Sequence, residues 1–295
     1  MRLLPAYRPR SSPLHAARAA AGAGFCLALA LTGVLYAHPL VLAAVIAAVA
    51  IAGLGARVGR EVARAARLAI PFALLVTLVN PLVYQGGNTV LVRGGELLGR
   101  RFDVTLEALG AGALAGLRVA AIVIAVGGLL SAAVDPDELL RLFRRVSYRS
   151  ALTASLATRL VPVLANDASR MAEAARCRPR PPGRLAVARA ALSGALDRAV
   201  DVAAALEVRG YAGGGRPRRA RRPWSRHDVR VGAAAVGIAL AAVGGRLAGV
   251  GAVTEYPRFS LGLGPAEIAL MAALLCLAAL PFTGRAARLG VARDR

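Results

Sequence analysis

The sequence contains no lysine. Its formal net charge of +22 therefore comes from arginine, against 16 acidic residues in a chain of 295. A chain without lysine has no Walker A lysine to hold the phosphates of ATP in a P-loop, and no side-chain amine to form a Schiff base. P-loop ATP hydrolysis and Schiff-base catalysis by this chain are excluded.

Cysteine and histidine are also scarce, at three residues each. The cysteines are too scattered for a disulfide framework or for the spacing of a zinc site. The histidines lie far apart, so a metal site could form only if folding brought them together. We predict no metal and no cofactor. The residues concerned are Cys26, Cys177, Cys276, His15, His38 and His227.

Hydrophobic residues make up 57% of the chain. They fall in runs of about 20 residues, the length that an α-helix needs to cross a bilayer core. We predict an all-α polytopic membrane protein with about six transmembrane helices and long cytoplasmic helices. The predicted spans are residues 17–36, 39–56, 68–84, 105–133, 229–250 and 265–283.

A long polar stretch divides these spans. We predict an N-terminal membrane domain of four spans at 1–134, a polar segment at 135–228, and two further spans with a basic tail at 229–295. Arginines concentrate at both termini, at 57–67 and in the polar segment, and such residues stay on the cytoplasmic side. The prediction is a multi-pass protein with both termini and the polar segment in the cytoplasm. The first span lacks a typical cleavage site, and we expect it to be retained.

Two arginine motifs stand near the ends of predicted helices in the polar segment. The first is Glu173-Ala174-Ala175-Arg176-Cys177 and the second is Leu206-Glu207-Val208-Arg209-Gly210-Tyr211. A guanidinium at a helix end can dock into another protein, and it can also stabilise its own helix C-terminus through the helix dipole. Gly210 is placed to end its helix in a left-handed cap.

Other polar residues mark the spans and the start of the polar segment. Arg118 lies deep in the fourth span, where a charge is costly and should face the protein interior or snorkel. We expect Arg118 to be either a fixed partner in the packing of the helices or a residue with a direct role in transport. Asp135 and Glu138 predict a capping box with Pro136 in the first helical turn. Pro162 should bend the helix that follows.

Together these motifs resemble the transmembrane T component of energy-coupling factor (ECF) transporters, the EcfT/CbiQ family, over about residues 78–222. The resemblance rests mainly on the two arginine motifs. It is supported by Val79-Asn80-Pro81-Leu82, Thr105-Leu106-Glu107-Ala108-Leu109, Leu117-Arg118, Pro136-Asp137-Glu138-Leu139-Leu140 and Thr158-Arg159-Leu160-Val161-Pro162. Cys177 replaces the family's usual glycine, and Val208 replaces its usual alanine.

The resemblance implies a non-catalytic scaffold in the plasma membrane of a bacterium. Two ABC-type ATPase subunits would dock on the arginine motifs, and a small membrane S component would bind the substrate, a vitamin or a transition-metal ion. No nucleic acid would be involved. The resemblance implies coupling or structural roles for Arg118, Arg159 and Pro162. The predicted docking residues are Ala175, Arg176, Cys177, Val208, Arg209 and Gly210.

Two other classes of function compete with this interpretation. A membrane-embedded enzyme needs clustered acidic, histidine or serine side chains, and the few acidic residues here are mostly spaced to pair with arginines. A self-sufficient transporter predicts polar residues in several spans and often a repeated half. The sequence shows neither pattern.

Overall fold

The computed structural model of the chain describes residues 10–83, 90–97, 100–143, 148–179, 182–210, 223–251 and 264–283. The chain divides into two compact units. Unit 1 comprises residues 1–139 and 224–295, and unit 2 comprises residues 140–223. The division at 134 and 228 stays a prediction.

Six apolar helices of unit 1 lie where the six spans were predicted. They are α2 (Ala19–Leu35), α3 (Pro39–Gly55), α4 (Gly59–Val83), α5 (Leu106–Val123), α10 (Arg226–Leu247) and α11 (Pro265–Ala279). A short helix α1 (Pro13–Ala16) precedes them, and a 3₁₀ turn at Leu280–Phe282 follows α11.

Four of these helical segments are long and apolar enough to cross a membrane by length and composition. One of them runs from Leu106 to Ala133, because α5 continues through a π-helical stretch at Ile124–Leu130 into α6 (Ser131–Ala133). The helices α2 and α3 are apolar but shorter, at 17 residues each. The predicted all-α polytopic membrane protein is confirmed.

The main core of unit 1 is built by α2 on α10 and by α3 on α11. Large apolar side chains and alanines are buried in it, because helices that are apolar on all faces can bury one face and leave the others to lipid. The fully buried side chains include Phe25, Leu29, Leu42, Ile238 and Leu274.

Small residues bring α4 and α5 into close contact. A Cβ atom on Gly112 would lie 2.7 Å from the Thr77 carbonyl oxygen, and one on Gly116 would lie 2.6 Å from the Ala73 carbonyl oxygen. Lipid tails are as apolar as leucine, so membrane helices associate through such close packing of small residues. The spacing Gly112-x-x-x-Gly116 therefore fixes where α5 meets α4.

The predicted loop 85–104 contains secondary structure that the sequence analysis did not anticipate. Strands β1 (Val90–Leu97) and β2 (Arg100–Thr105) form an antiparallel hairpin. Its register shifts between Arg93 and Glu96, where Gly94 and Gly95 weaken the strand pattern. That interruption explains why the strand was missed.

The capping box predicted at the start of α7 (Pro136–Phe143) is corrected in one part. Asp135 caps as predicted, since its Oδ1 accepts a hydrogen bond of 2.9 Å from the Asp137 amide. The carboxylate of Glu138, however, accepts a bond of 3.3 Å from the amide of Ala19 at the start of α2. A tertiary acceptor role thus replaces the predicted local one.

Unit 2 contains two long helices, α8 (Tyr148–Arg176) and α9 (Arg184–Val208). Each ends at one of the two arginine motifs, as the sequence predicts. Pro162 lies inside α8, where its missing N–H removes one helical hydrogen bond. The arginine-rich run 216–222 of the sequence lies outside the described residues.

Replacing Gly116 by alanine tests the close packing of α5 on α4. We expect the added methyl group to destabilise the folded chain by about 1–3 kcal/mol, the usual cost of overpacking. The measurement is thermal unfolding of the purified chain in detergent. Gly232→Ala in α10 is the matched control, because a Cβ atom there meets nothing within 4 Å. Equal melting temperatures for the two variants would contradict the packing.

Candidate functional site

The first arginine motif forms the end of α8. Arg176 is the last helical residue, and Cys177 follows it. The side chain of Ala175 is buried, whereas those of Arg176 and Cys177 are exposed. The amide of Arg178 donates a 3.3 Å hydrogen bond to the carbonyl of Ala175, which closes the last turn. The small residue anchors the turn and leaves the arginine on the surface.

The second motif forms the end of α9. Arg209 is the C-cap residue, and its amide donates a 3.3 Å bond to the carbonyl of Ala205. Gly210 has a φ of +76°, the left-handed conformation predicted for it. Its amide donates a 2.9 Å bond to the Glu207 carbonyl. Val208 is 89% exposed, so the whole helix end projects into the surroundings.

Both arginine side chains are exposed at the ends of their helices. In the part of the chain that the structure describes, the guanidinium groups of Arg176 and Arg209 make no hydrogen bond and no ion pair. The alternative role, stabilisation of each helix C-terminus through the helix dipole, acts without a direct contact and stays open. An exposed guanidinium also offers a planar fork of donors to a carboxylate or a carbonyl of another molecule.

An ion pair sets the register of α8 against α9. Asp167 of α8 binds Arg198 of α9 at 2.6 Å and Arg170 of its own helix at 2.6 Å. The hydrogen bond from Arg198 and then that from Arg170 lower the pKa of Asp167, so the carboxylate stays charged at neutral pH. Met171 lies four residues after Asp167 in α8, and Gly194 lies four residues before Arg198 in α9. The side chain of Met171 approaches Gly194. The two helices therefore run antiparallel.

This register separates the two motifs. In an antiparallel pair aligned through Asp167 and Arg198, Arg209 lies level with residue 156 of α8. Along α8, residue 156 and Arg176 are 20 residues apart. At 1.5 Å per residue, the two arginines are therefore separated by about 30 Å along the helix pair. The two exposed arginines are thus presented at opposite ends of the helix pair.

The remaining predicted site residues lie elsewhere. Arg118 is partly buried in α5, and its Nε atom is buried without a hydrogen-bond partner. Arg159 and Pro162 are exposed on α8. Of these residues, none belongs to the two helix ends. Their coupling or structural roles stay predictions.

The sequence analysis missed a charged cluster where α2 and α10 begin. Arg18 pairs with Asp228 at 3.4 Å, and Asp228 also completes a capping box with Ser225. The spacing Ser225-x-x-Asp228 is a capping-box pattern that the sequence does display. The pairing with Arg18, 210 positions earlier, could not be found from local pattern.

The structure offers little ground for metal chemistry in its described part. No group of three histidine, cysteine or acidic residues within the described ranges could hold a metal ion. His38 and His227 are buried. Cys26 is buried, whereas Cys276 is exposed on an apolar helix.

The separation of the motifs can be measured within unit 2. Spin labels on the native Cys177 and on Val208→Cys, with Cys26 and Cys276 replaced by alanine, should lie about 30 Å apart, as the helical rise predicts. Pulsed electron paramagnetic resonance gives the distance. A main distance below about 20 Å would place both motifs at one end and contradict the antiparallel register.

Comparisons with known proteins identify the family. A family model described as CbiQ, cobalt transport protein, matches residues 10–220. A search among curated proteins gave no match. The matched region covers most of the chain, including the four apolar helices α2 to α5, the helices α8 and α9, and both arginine motifs. It supports a membrane component of a transporter rather than an enzyme. The chain belongs to the CbiQ family of cobalt transport proteins.

Proposed function

We propose that this chain is the transmembrane coupling subunit of an ECF-type ABC importer. The observation that carries the proposal is the pair of exposed arginines, without partners in the described chain, at opposite ends of α8 and α9. The CbiQ family supports it, since that family functions in ABC-type transporter complexes. The partners are two cytoplasmic ATPase subunits and a small membrane S component that binds the substrate.

The geometry suits two similar docking events. A guanidinium fork binds acidic side chains and helix-end carbonyls, and arginine is a frequent anchor of protein interfaces. A separation of about 30 Å, from the helical rise, lets each end reach a different ATPase subunit. Movement of the ATPases during the ATP cycle then pulls on both ends of one rigid helix pair.

The two departures from the family motif fit this role. Val208 is 89% exposed, and its larger side chain adds apolar surface to the docking end of α9. Cys177 is exposed directly after Arg176, so its side chain lies at the docking surface and not in a core. Both departures leave the arginines presented to a partner.

The family match supports a proposal for the substrate class. The importer takes up a transition-metal ion, for which cobalt is the family's named case, or a vitamin. This chain cannot hold ATP in a P-loop, because it contains no lysine. In this proposal the ATPases hydrolyse ATP, the S component holds the substrate, and this chain joins the two.

The orientation in the plasma membrane of a bacterium is part of the proposal. The α8–α9 pair must lie in the cytoplasm to meet the ATPases, and the arginine distribution places it there. With six spans, both termini are cytoplasmic as well.

Replacing the docking arginines by alanine tests the proposed function. We expect Arg176→Ala or Arg209→Ala to weaken capture of the ATPase pair by about 2–4 kcal/mol, the range of interface anchors. The double variant should lose more than either single variant, because two contacts on one chain act together. The measurement is pull-down of the ATPases together with substrate uptake by cells.

The matched control for these variants is Asp197→Ala. Asp197 is exposed on α9 and, in the register set by Asp167 and Arg198, lies between the two docking ends, so its replacement should leave capture and uptake unchanged. All variants should stay folded, because each changed side chain is exposed. Wild-type capture and uptake by the double variant would return both arginines to a role in helix stability.

The native Cys177 reports the orientation. It is exposed on the α8–α9 pair. In a variant without Cys26 and Cys276, a membrane-impermeant maleimide should label Cys177 only after the cells are permeabilised. A Gly87→Cys variant lacking Cys177 should be labelled in intact cells, because residue 87 lies in a predicted outer loop. Labelling of Cys177 in intact, sealed cells would reverse the topology.

A further inference from the structure

The chain passes between the two units twice, after Leu139 and before Trp224. Both crossing points adjoin the first turn of α2, at Arg18 and Ala19. The residue before the first crossing point, Glu138, bonds to Ala19. Trp224, at the second crossing point, lies under the Arg18 guanidinium at 5.1 Å from the ring centre.

The helix α2 begins without a cap of its own. Its N-cap residue is Arg18, whose side chain makes no capping bond and carries only donors. The first amides of a helix need acceptors from elsewhere. Asp228 Oδ1 accepts from the Arg18 amide at 2.7 Å, and Glu138 Oε2 accepts from the Ala19 amide at 3.3 Å. The start of α2 is thus capped by one residue from each side of the segment 140–223. We call these two places the roots of the segment: Glu138 in α7 before it, and Asp228 in α10 after it.

The root at α10 is held tightly. Asp228 is 2% exposed, and its Oδ2 accepts a 2.9 Å bond from the Ser225 amide and an ion pair of 3.4 Å from Arg18. The Ser225 hydroxyl accepts a 3.2 Å bond from the Asp228 amide. A buried carboxylate with this many donors stays in place, since losing them would leave a buried charge unpaired.

The root at α7 has more room. Glu138 makes one described bond to α2, and Leu139 packs against a small cluster of Ala19, Ala23 and Val134. A cavity of about 40 Å³ lies beside Glu138. That is space for water. The root at α10 is therefore bound to α2 more tightly than the root at α7.

We propose that the first turn of α2 is a transmission joint, at which Arg18, Glu138 and Asp228 couple displacement of the cytoplasmic helices to the membrane helices. The inference rests on the proposed function. When docked ATPases pull on α8 and α9, the chain pulls on both roots. Because both roots cap α2, a displacement of either root moves α2 within the membrane. These three are positioning residues and touch no substrate.

Spin labels on α2 and α4 test the joint in the assembled complex. Leu27→Cys and Leu75→Cys are both exposed positions in a chain whose native cysteines are replaced by alanine. The probe is ATP with Mg²⁺, compared with the nucleotide-free complex of this chain and the co-purified ATPases. We expect the distance between the labels to change with nucleotide. In Glu138→Gln/Asp228→Asn, that change should fall about fivefold or more, as for a lost allosteric coupling.

The matched control is Glu61→Gln. Glu61 is a buried carboxylate at the start of α4, paired with Arg10 at 2.6 Å, and it contacts neither root in the described chain. A merely structural role of the joint predicts that both substitutions lower the melting temperature and leave the nucleotide-dependent change intact. The proposed role predicts that Glu61→Gln keeps the change and that the double variant loses it, while ATPase capture and ATP hydrolysis continue in both.

Each other result counts against the joint. A wild-type complex that captures the ATPases but shows no nucleotide-dependent change overturns the joint alone. A wild-type chain that captures no ATPase overturns both the joint and the proposed function. Where the double variant fails to assemble, the single variants Glu138→Gln and Asp228→Asn replace it. A nucleotide-dependent distance change of wild-type size in both single variants overturns the joint.

Discussion

The interior of a bilayer offers no hydrogen-bond partner to a peptide group, and the architecture of unit 1 follows from that constraint. Each spanning segment must satisfy its backbone internally, so it is helical. Since lipid is as apolar as the side chains, these helices must associate by shape. Gly112 and Gly116 therefore press against the backbone of α4 at Thr77 and Ala73. Where the helices leave this apolar region, their unpaired amides need partners.

Acidic side chains accept hydrogen bonds from such amides at the start of α2. Glu138 and Asp228 cap the same helix start from two distant parts of the sequence. Both residues stand next to the points where the chain passes between units. Arg176 and Arg209, in contrast, end their helices without partners in the described chain and are exposed. The charges of Glu138 and Asp228 thus stabilise unit 1, whereas the arginines at the ends of α8 and α9 are the proposed contacts with other proteins.

Much of the fold could be predicted because it depends on local pattern. Apolar runs of about 20 residues predict spans by length alone, and all six coincide with helices. Gly210 was predicted as a left-handed cap from its place after Arg209, and its φ of +76° confirms this. The hairpin at Val90–Thr105 was missed, because Gly94 and Gly95 interrupt the strand pattern. Glu138 was assigned a local cap, because its real partner Ala19 is 119 positions away.

The sequence by itself determined the class of protein, the helical spans and the two arginine motifs, because hydropathy, helix caps and motif spacing act over a few residues. Only the tertiary structure decided that the motifs lie at opposite ends of an antiparallel pair, through the Asp167–Arg198 bond. It alone showed that Arg18, Glu138 and Asp228 meet at one helix start. Such contacts join residues far apart in the chain, and their energy depends on geometry that no local pattern encodes.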